Sequence, residues 1–517
     1  MYRKFCIRAV AMGTLGLLGT LSSPSTHADS LVLKQAPATR IQTRPGTSKR
    51  QGEPQYTRAQ VSVNDGTDGK RMWVTYKSGV YDISEFRKIH PGGYLIMQAA
   101  GTDVMEFWDR WAWHHEAPLV GSYLEKLRIG ELVDGVVEST DAAYDPYGSE
   151  PVRNKSIHTI FTERPFSSET TPAKLGASYL TSAEALYVRN HAPVPDVAWN
   201  EEGMTREEGC EEHELVFETE SIDAASTHTI TELRDKFGVT TITSILQCAG
   251  NRASEDIAAT GPSGFSGGPY EKISCGMIGN LQWSGVLLSE ILPCFYPEAC
   301  KDASNWHVVF EGADEYQSST PLNRLLDRKN DCLIATEMNN EPLSPDHGYP
   351  ARVVLPGVAG ARNVKWLQSI KLSKNPSTMP WNEYYYKNSN LQHIQELPLQ
   401  ALVLGKSYYH RGLGKNKTVV LNGVAYSGGT GNKIARVEVS TDNGKNWQEA
   451  QLKTEEVLKD GSRSHFGWVR WTASVVAPTQ GSSTVVCRAT DSEGITQVEV
   501  SPKQKGYLFN GWSKMKI

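Results

Sequence analysis

The sequence predicts a multidomain chain, mixed α+β through its first two parts and all-β in its last. Three observations lead there. A chain of 517 residues is too long for a single hydrophobic core. Short strand-like runs mix with helix-like runs and many Gly/Pro loops up to about residue 390, the texture of α+β domains. From about residue 396 the helical pattern gives way to short β-rich runs punctuated by turn residues, which predicts a β-sandwich.

Composition narrows the function classes. Hydrophobic residues make up 39% and charged residues 21%, as in a soluble globular protein. A net charge of −5 leaves no broad basic surface for nucleic acid. The eight cysteines include no CxxC pair and no dense framework, which argues against a disulfide scaffold. Cys294 and Cys300 are close enough in sequence to pair, but scattered free thiols are expected.

Residues 1–28 read as a targeting presequence. Arg3, Lys4 and Arg8 precede an apolar run from Ala9 to Leu21, and no acidic residue appears before Asp29. The run is too short for a stable membrane span, and Thr26-His27-Ala28 suits cleavage near Ala28. A mitochondrial presequence leading to the intermembrane space fits these features; a secretory or periplasmic signal is the alternative.

Residues 29–55, rich in Pro, Thr, Gln and Arg, are expected to be a disordered lead-in. Residues 56–135 form a compact unit. Met72 to Tyr76 and Val80 to Ile83 read as strands around a Ser78-Gly79 turn, followed by helical stretches near 84–89, 94–99, 103–113 and 116–126. The acidic stretch 136–150 reads as a linker. Residues 151–392 read as one large α+β domain and 393–517 as the sandwich, with Asp442-Asn443-Gly444 as a turn between two of its strands.

Two short words carry the chemistry. The first is His90-Pro91-Gly92-Gly93, followed by an aromatic helical stretch ending in Trp113-His114-His115. An electron-carrying haem needs two strong axial ligands, and His90 and His114 supply two imidazoles, with His115 as a fallback. Phe107, Trp108 and Trp111 can wall an apolar pocket. This segment resembles the cytochrome b5 family, which implies a non-covalent b-type haem whose iron is held by His90 and His114.

The second word is Gln247-Cys248-Ala249-Gly250-Asn251-Arg252, at the end of the apolar strand 241–246. A cysteine at a strand end, with glycine opening the backbone and arginine beside it, sits where its thiolate is favoured. Three polar loops accompany it: Val188-Arg189-Asn190-His191, Asp346-His347-Gly348-Tyr349-Pro350-Ala351-Arg352, and the glycine-rich run from Gly357 to Trp366. Such loops suit the phosphate of a large cofactor. They show neither a dinucleotide fingerprint nor a P-loop.

From about residue 150 to the C-terminus these words resemble the sulfite oxidase family, and the haem-type domain in front matches its animal domain order. The resemblance implies a cytochrome b5-like domain, a molybdopterin-binding α+β domain and a C-terminal immunoglobulin-like sandwich that forms a homodimer. It implies that Cys248 ligates molybdenum. Cofactor contacts would then come from Arg189, His191, Asp314, His347, Arg352, Asn363, Val364 and Lys365. The family's active-site tyrosine falls on Tyr386, with Tyr385 as the neighbouring choice. The implied reaction is the molybdenum-dependent oxidation of sulfite to sulfate. Electrons pass to the haem and on to a cytochrome c-like acceptor, the 136–150 linker letting the haem domain swing between sites.

The anion pocket departs from the family pattern. Arg189 is present, but Ala253 stands where a second arginine is usual, Lys505 where an arginine is usual, and Ile273 where a tryptophan aligns. Lys505 keeps a charge without the bidentate fork. Each charge-assisted hydrogen bond lost costs on the order of 1.5–3 kcal/mol of anion binding. Two rival readings follow: the same cofactors acting on another oxyanion or an S- or N-oxide, such as nitrate, and a haem electron carrier with a metal-free second domain.

Overall fold

The computed structural model describes residues 52–517 apart from 89, 91–92, 112–113, 115–117, 135–144, 196–204, 220–224, 267, 410–417, 455–462 and 478–482. The presequence, most of the lead-in, His115 and nearly all of the linker therefore lie outside the described residues.

The first module is a four-stranded sheet in the order Gln55–Tyr56, Arg128–Leu132, Gly79–Asp82, Trp73–Tyr76. Its outer strand Gln55–Tyr56 pairs parallel with Glu131 and Leu132, so the end of the expected lead-in is ordered structure. Val74, Tyr81, Ile83 and Leu124 close its core against the segments Gly93–Ala99 and Met105–Arg110. The first short helix, Arg58–Ser62, starts on a reciprocal cap between Thr57 and Gln60.

The middle of the chain is built on two larger sheets. One runs Glu341–Pro342, Leu333–Met338, Ile278–Leu287, Thr240–Gln247, Arg463–Phe466, with Arg352–Val354 also pairing on Leu333–Met338. The other runs Gln317–Pro321, His307–Gly312, Leu367–Ser373, Glu214–Glu218, Ser226–Thr229. Strand Thr240–Gln247 is buried on both faces from Ile242 onward, which its run of Ile, Thr and Leu allows. The helix Ile230–Phe237 packs against this core; Thr229 and Glu232 cap its start and Gly238, at φ +75°, ends it.

The last part is a sandwich of two four-stranded sheets. One runs Gln400–Tyr409, Thr418–Tyr426, Val469–Val476, Gln451–Leu452, and the other Gln448–Glu449, Ile434–Ser440, Thr484–Asp491, Ser513–Lys516. Alternate residues of both sheets, among them Leu421, Val437, Trp471 and Cys487, fill the space between them.

This last part also braces the strand that carries Cys248. Strand Arg463–Phe466 joins the central sheet, parallel to Thr240–Gln247. The Tyr426 hydroxyl donates to the Gln247 side-chain carbonyl, and the Leu508 N–H donates to the Ala249 carbonyl at 2.8 Å. Both bonds flank Cys248 in sequence. All seven cysteines among the described residues are free, including Cys294 and Cys300.

Tyr426→Phe removes a fully buried donor and leaves the Gln247 carbonyl unpaired, a loss of roughly 1–3 kcal/mol. Thermal melting should show a lower unfolding temperature with the haem spectrum unchanged. An unaltered melting temperature would mean that Gln247 is not held by this bond.

Candidate active site and haem centre

In the first module His90 and His114 face one another. Their rings are nearly parallel, at 10°, with centroids 6.1 Å apart. The His114 ring is aimed by its own helix turn, Nδ1 donating to the Trp111 carbonyl at 2.9 Å. A carbonyl can only accept, so Nδ1 carries the proton and Nε2 keeps its lone pair. Phe86 packs edge-on against His90, and Trp108 lies parallel to His114. Two opposed imidazoles across a gap of this width fit the axial ligation of one iron, and the apolar walls fit a porphyrin. Trp111, expected in the same wall, instead reaches out of the module: its indole N–H donates to the His191 carbonyl at 2.6 Å.

The second site is a half-open cleft. Cys248 opens onto it, and so do Arg189, His191, Asp314, His347, Arg352, Asn363, Val364, Lys365 and Tyr386. Six separate segments thus bring almost all of the expected residues to one place. Each loop is tied down. Arg352 donates to the His347 and Asn363 carbonyls at 2.8 and 3.1 Å. The Asn363 amide spans its own loop, accepting from the Leu355 N–H and donating to the Ala359 carbonyl. Lys365 donates to the Asn190 side chain and to the Asp346 carbonyl. Gly348 adopts φ +106° where an added Cβ would meet Arg352 and Lys365 at about 3 Å, so only glycine lets these two cations close in.

The side chains that line the cleft are buried, and three of them are cations. Burial pulls Lys365 down to about 7 and Arg352 to about 10. Burial likewise holds His347 neutral at about 4 and His191 well below its ordinary range, the nearby cations adding to the effect on His191. Asp346 is already committed to Arg153, which contacts both its oxygens at 2.7 Å. The buried cations and the sulfur in the wall fit a phosphate-bearing cofactor whose metal takes one thiolate.

The cysteine's setting differs from the sequence expectation. Burial raises the Cys248 thiol above its usual range, outweighing Arg189 and the Gly250 N–H, which reaches the sulfur at 3.4 Å. The neighbour Arg252 gives no help. Its backbone is left-handed at φ +69°, and its fully buried guanidinium pairs with Glu255 and Gln400 and lies over Phe509. Arg189 supplies the cation beside Cys248, and a bound metal would have to draw off the thiol proton.

Tyr386 lines the cleft, whereas Tyr385 packs on Trp381. The Tyr386 backbone is left-handed at φ +49°, and Arg362 holds its carbonyl at 3.1 Å. Its hydroxyl meets His191 Nε2 at 3.2 Å. Burial holds its proton on, so it donates and the neutral imidazole accepts. Arg189 lies over the Tyr270 ring at 4.4 Å. Burial opposes its charge, but the facing Tyr270, Tyr386, Cys248 and Tyr507 outweigh that and hold it above its ordinary range.

Lys505 does not join the cleft. It is exposed and left-handed at φ +57°, and its backbone turns Tyr507 inward instead. The Tyr507 ring lies 5.4 Å from Tyr386 and 5.5 Å from Phe265. Lys505, Gly506 and Leu508 all have positive φ, a concentration of backbone strain beside the site. Sequence reasoning missed Tyr507, because a lysine in an arginine's place drew attention away from the next aromatic. Ala253 and Ile273 are both fully buried in the core, so neither presents a polar group to an anion.

Three family models match successive parts of the chain. Residues 57–133 match the cytochrome b5-like heme/steroid binding domain, 202–381 the oxidoreductase molybdopterin binding domain, and 392–517 the Mo-co oxidoreductase dimerisation domain. The chain is 33% identical over 492 residues to the mitochondrial sulfite oxidase of Drosophila melanogaster, covering 90% of this chain and 81% of the relative. It is 32% identical to the sulfite oxidase of Gallus gallus, covering 89% of this chain and 99% of the relative. Its fold matches the sulfane dehydrogenase SoxCD of Paracoccus pantotrophus with a TM-score of 0.54 at 21% identity, over 74% of this chain and 97% of that one.

The buried histidine gives an acid signature. The folded-state value for His347 lies below its unfolded value, so its contribution is neutral above about 6.5, and stability is lost as pH falls from there toward about 4. The loss is on the order of 3 kcal/mol. Melting curves of cofactor-free protein between pH 4 and 7 should therefore be flatter for His347→Gln than for wild type. Parallel curves would remove His347 from the account.

Proposed function

Because the chain belongs to the sulfite oxidase family, we propose that it oxidises sulfite to sulfate and hands the electrons on, one at a time, to a cytochrome c-like acceptor. The observation that carries the reading is the convergence of Cys248, Arg189, His191 and Tyr386 on one cleft. When bound, a molybdenum–molybdopterin centre supplies the two-electron oxidation and a b-type haem the one-electron relay. Each sulfite consumes one water and releases two protons and two electrons.

The chain's own residues take definite parts. Cys248 offers the metal a thiolate from the cleft wall. Arg352, Lys365 and His347, with Asp314, Asn363 and Val364 beside them, hold the cofactor's polar body. Arg189 stays cationic and draws in the oxyanion. Tyr386 keeps its proton and donates it in a hydrogen bond beside the reacting centre, its ring fixed by Arg362 and His191. His90 and His114 hold the haem iron.

The pocket has fewer fixed cations than the resemblance implied, since Ala253 is core and Lys505 is exposed. Tyr507 packs behind Tyr386, its ring 5.4 Å away, and adds no charge. The same reading makes the chain a homodimer through residues 392–517 and places it in the mitochondrial intermembrane space; the relative from Drosophila melanogaster is named as mitochondrial. No helix among the described residues is long and apolar enough to cross a membrane.

Anaerobic sulfite should produce the reduced b-haem spectrum in protein shown to contain molybdenum. If dithionite reduces the haem and sulfite does not, sulfite is not the substrate. Arg189→Gln should raise KM for sulfite about 10- to 100-fold, from one charge-assisted bond lost, with metal content and haem spectrum unchanged. Cys248→Ser should lose molybdenum by metal analysis and retain haem; retention of the metal would contradict its assignment as ligand.

A further inference from the structure

Among the described residues, a direct hydrogen bond of good geometry joins the haem-binding module to a residue of the cleft. The Trp111 indole N–H donates to the His191 carbonyl at 2.6 Å. On the module side, Trp111 is the residue that aims the haem ligand, since its carbonyl accepts from both the backbone N–H and the ring Nδ1 of His114, at 3.1 and 2.9 Å. On the cleft side, the His191 ring meets the Tyr386 hydroxyl at 3.2 Å and packs on Trp381 with centroids 4.4 Å apart. The second contact is weaker: the Gln98 amide lies 3.8 Å from Met379 Sδ, just before the short helix Pro380–Glu383 that carries Trp381.

We propose that Trp111 is the docking residue of the haem module, latching it onto His191 in a posture that joins the haem ligand to the cleft without a break. His114, Trp111, His191 and Tyr386 form one run of covalent and hydrogen bonds. Indole is a donor only and has a single hydrogen to give, so this contact specifies one orientation of the module. His191 suits the receiving role. Its carbonyl takes the indole while its neutral ring accepts from Tyr386, so one residue touches both sides.

The use of the contact rests on the function proposed above. Oxidation of sulfite releases two electrons, and haem iron passes between ferric and ferrous by one electron, being reoxidised each time by the one-electron acceptor. The docked posture is therefore needed twice per sulfite. A one-electron relay that must be visited twice gains from a latch that is a single, readily remade bond. Trp111 acts through His114 and His191, so it is a positioning residue.

The test uses the full-length protein with Trp111→Phe, which keeps an aromatic ring and loses only the donor, and Trp111→Ala. Without any turnover, hydrogen exchange of cofactor-free protein should rise over residues 188–195 and 105–111 in both variants. In loaded protein mixed with sulfite, the first equivalent of sulfate should form at the wild-type rate, while haem reduction slows at least tenfold in Trp111→Phe. The haem spectrum and reduction by dithionite should stay unchanged, which excludes damage to His114. Wild-type exchange together with wild-type haem reduction in Trp111→Phe would overturn the proposal. Failure of the wild-type protein itself to form sulfate would overturn the function reading and leave the exchange result to judge the latch.

Discussion

Desolvated positive charge facing a single cleft is the constraint on which the other features of this structure depend. Arg189, Arg352 and Lys365 all reach the cleft, while Asp346 is spoken for by Arg153 and Asp314 accepts from the Tyr316 N–H. Cations removed from water need a partner. The protein supplies backbone carbonyls, which satisfy the donors without cancelling the charge. An anionic ligand suits these cations, and burial in the protein strengthens its attraction. The depressed lysine and the neutral histidines are consequences of the same burial, to which neighbouring cations add.

That buried charge requires a rigid frame, and all three parts of the chain contribute to it. The central sheets present Cys248 and the Arg352 and Lys365 loops. The C-terminal sandwich grips the cysteine strand from both sides, through Tyr426 on Gln247 and Leu508 on Ala249, and sends Tyr507 toward Tyr386. The haem module touches the cleft through Trp111. Left-handed backbone at Tyr386, Lys505 and Leu508 is strain that only a well-braced site can hold.

Much of this was legible in the sequence, and the reasons are physical. His90 and His114 stood out because a turn of Pro and glycine and an aromatic helix surround them. The cleft residues stood out because glycine, cations and a cysteine recur in loops between apolar strands. What stayed hidden depends on direction. Arg252 follows Cys248 closely yet turns away, since its left-handed backbone sends the guanidinium to Glu255. Lys505 points outward and Tyr507 inward for the same kind of reason. The Cys248 thiol is raised because burial, which no spacing reveals, outweighs a nearby cation. The Trp111–His191 bond joins residues eighty positions apart in two different modules.

The most direct measurement is the calorimetric unfolding temperature of cofactor-free protein, purified from a host unable to make molybdopterin, against loaded protein, each with and without inorganic phosphate at constant ionic strength. A cleft lined by buried cations predicts that the cofactor-free form melts lower and that phosphate raises its melting temperature, while the loaded form does not respond. Equal melting temperatures, or no response to phosphate in the cofactor-free form, would contradict the claim that buried positive charge organises the site.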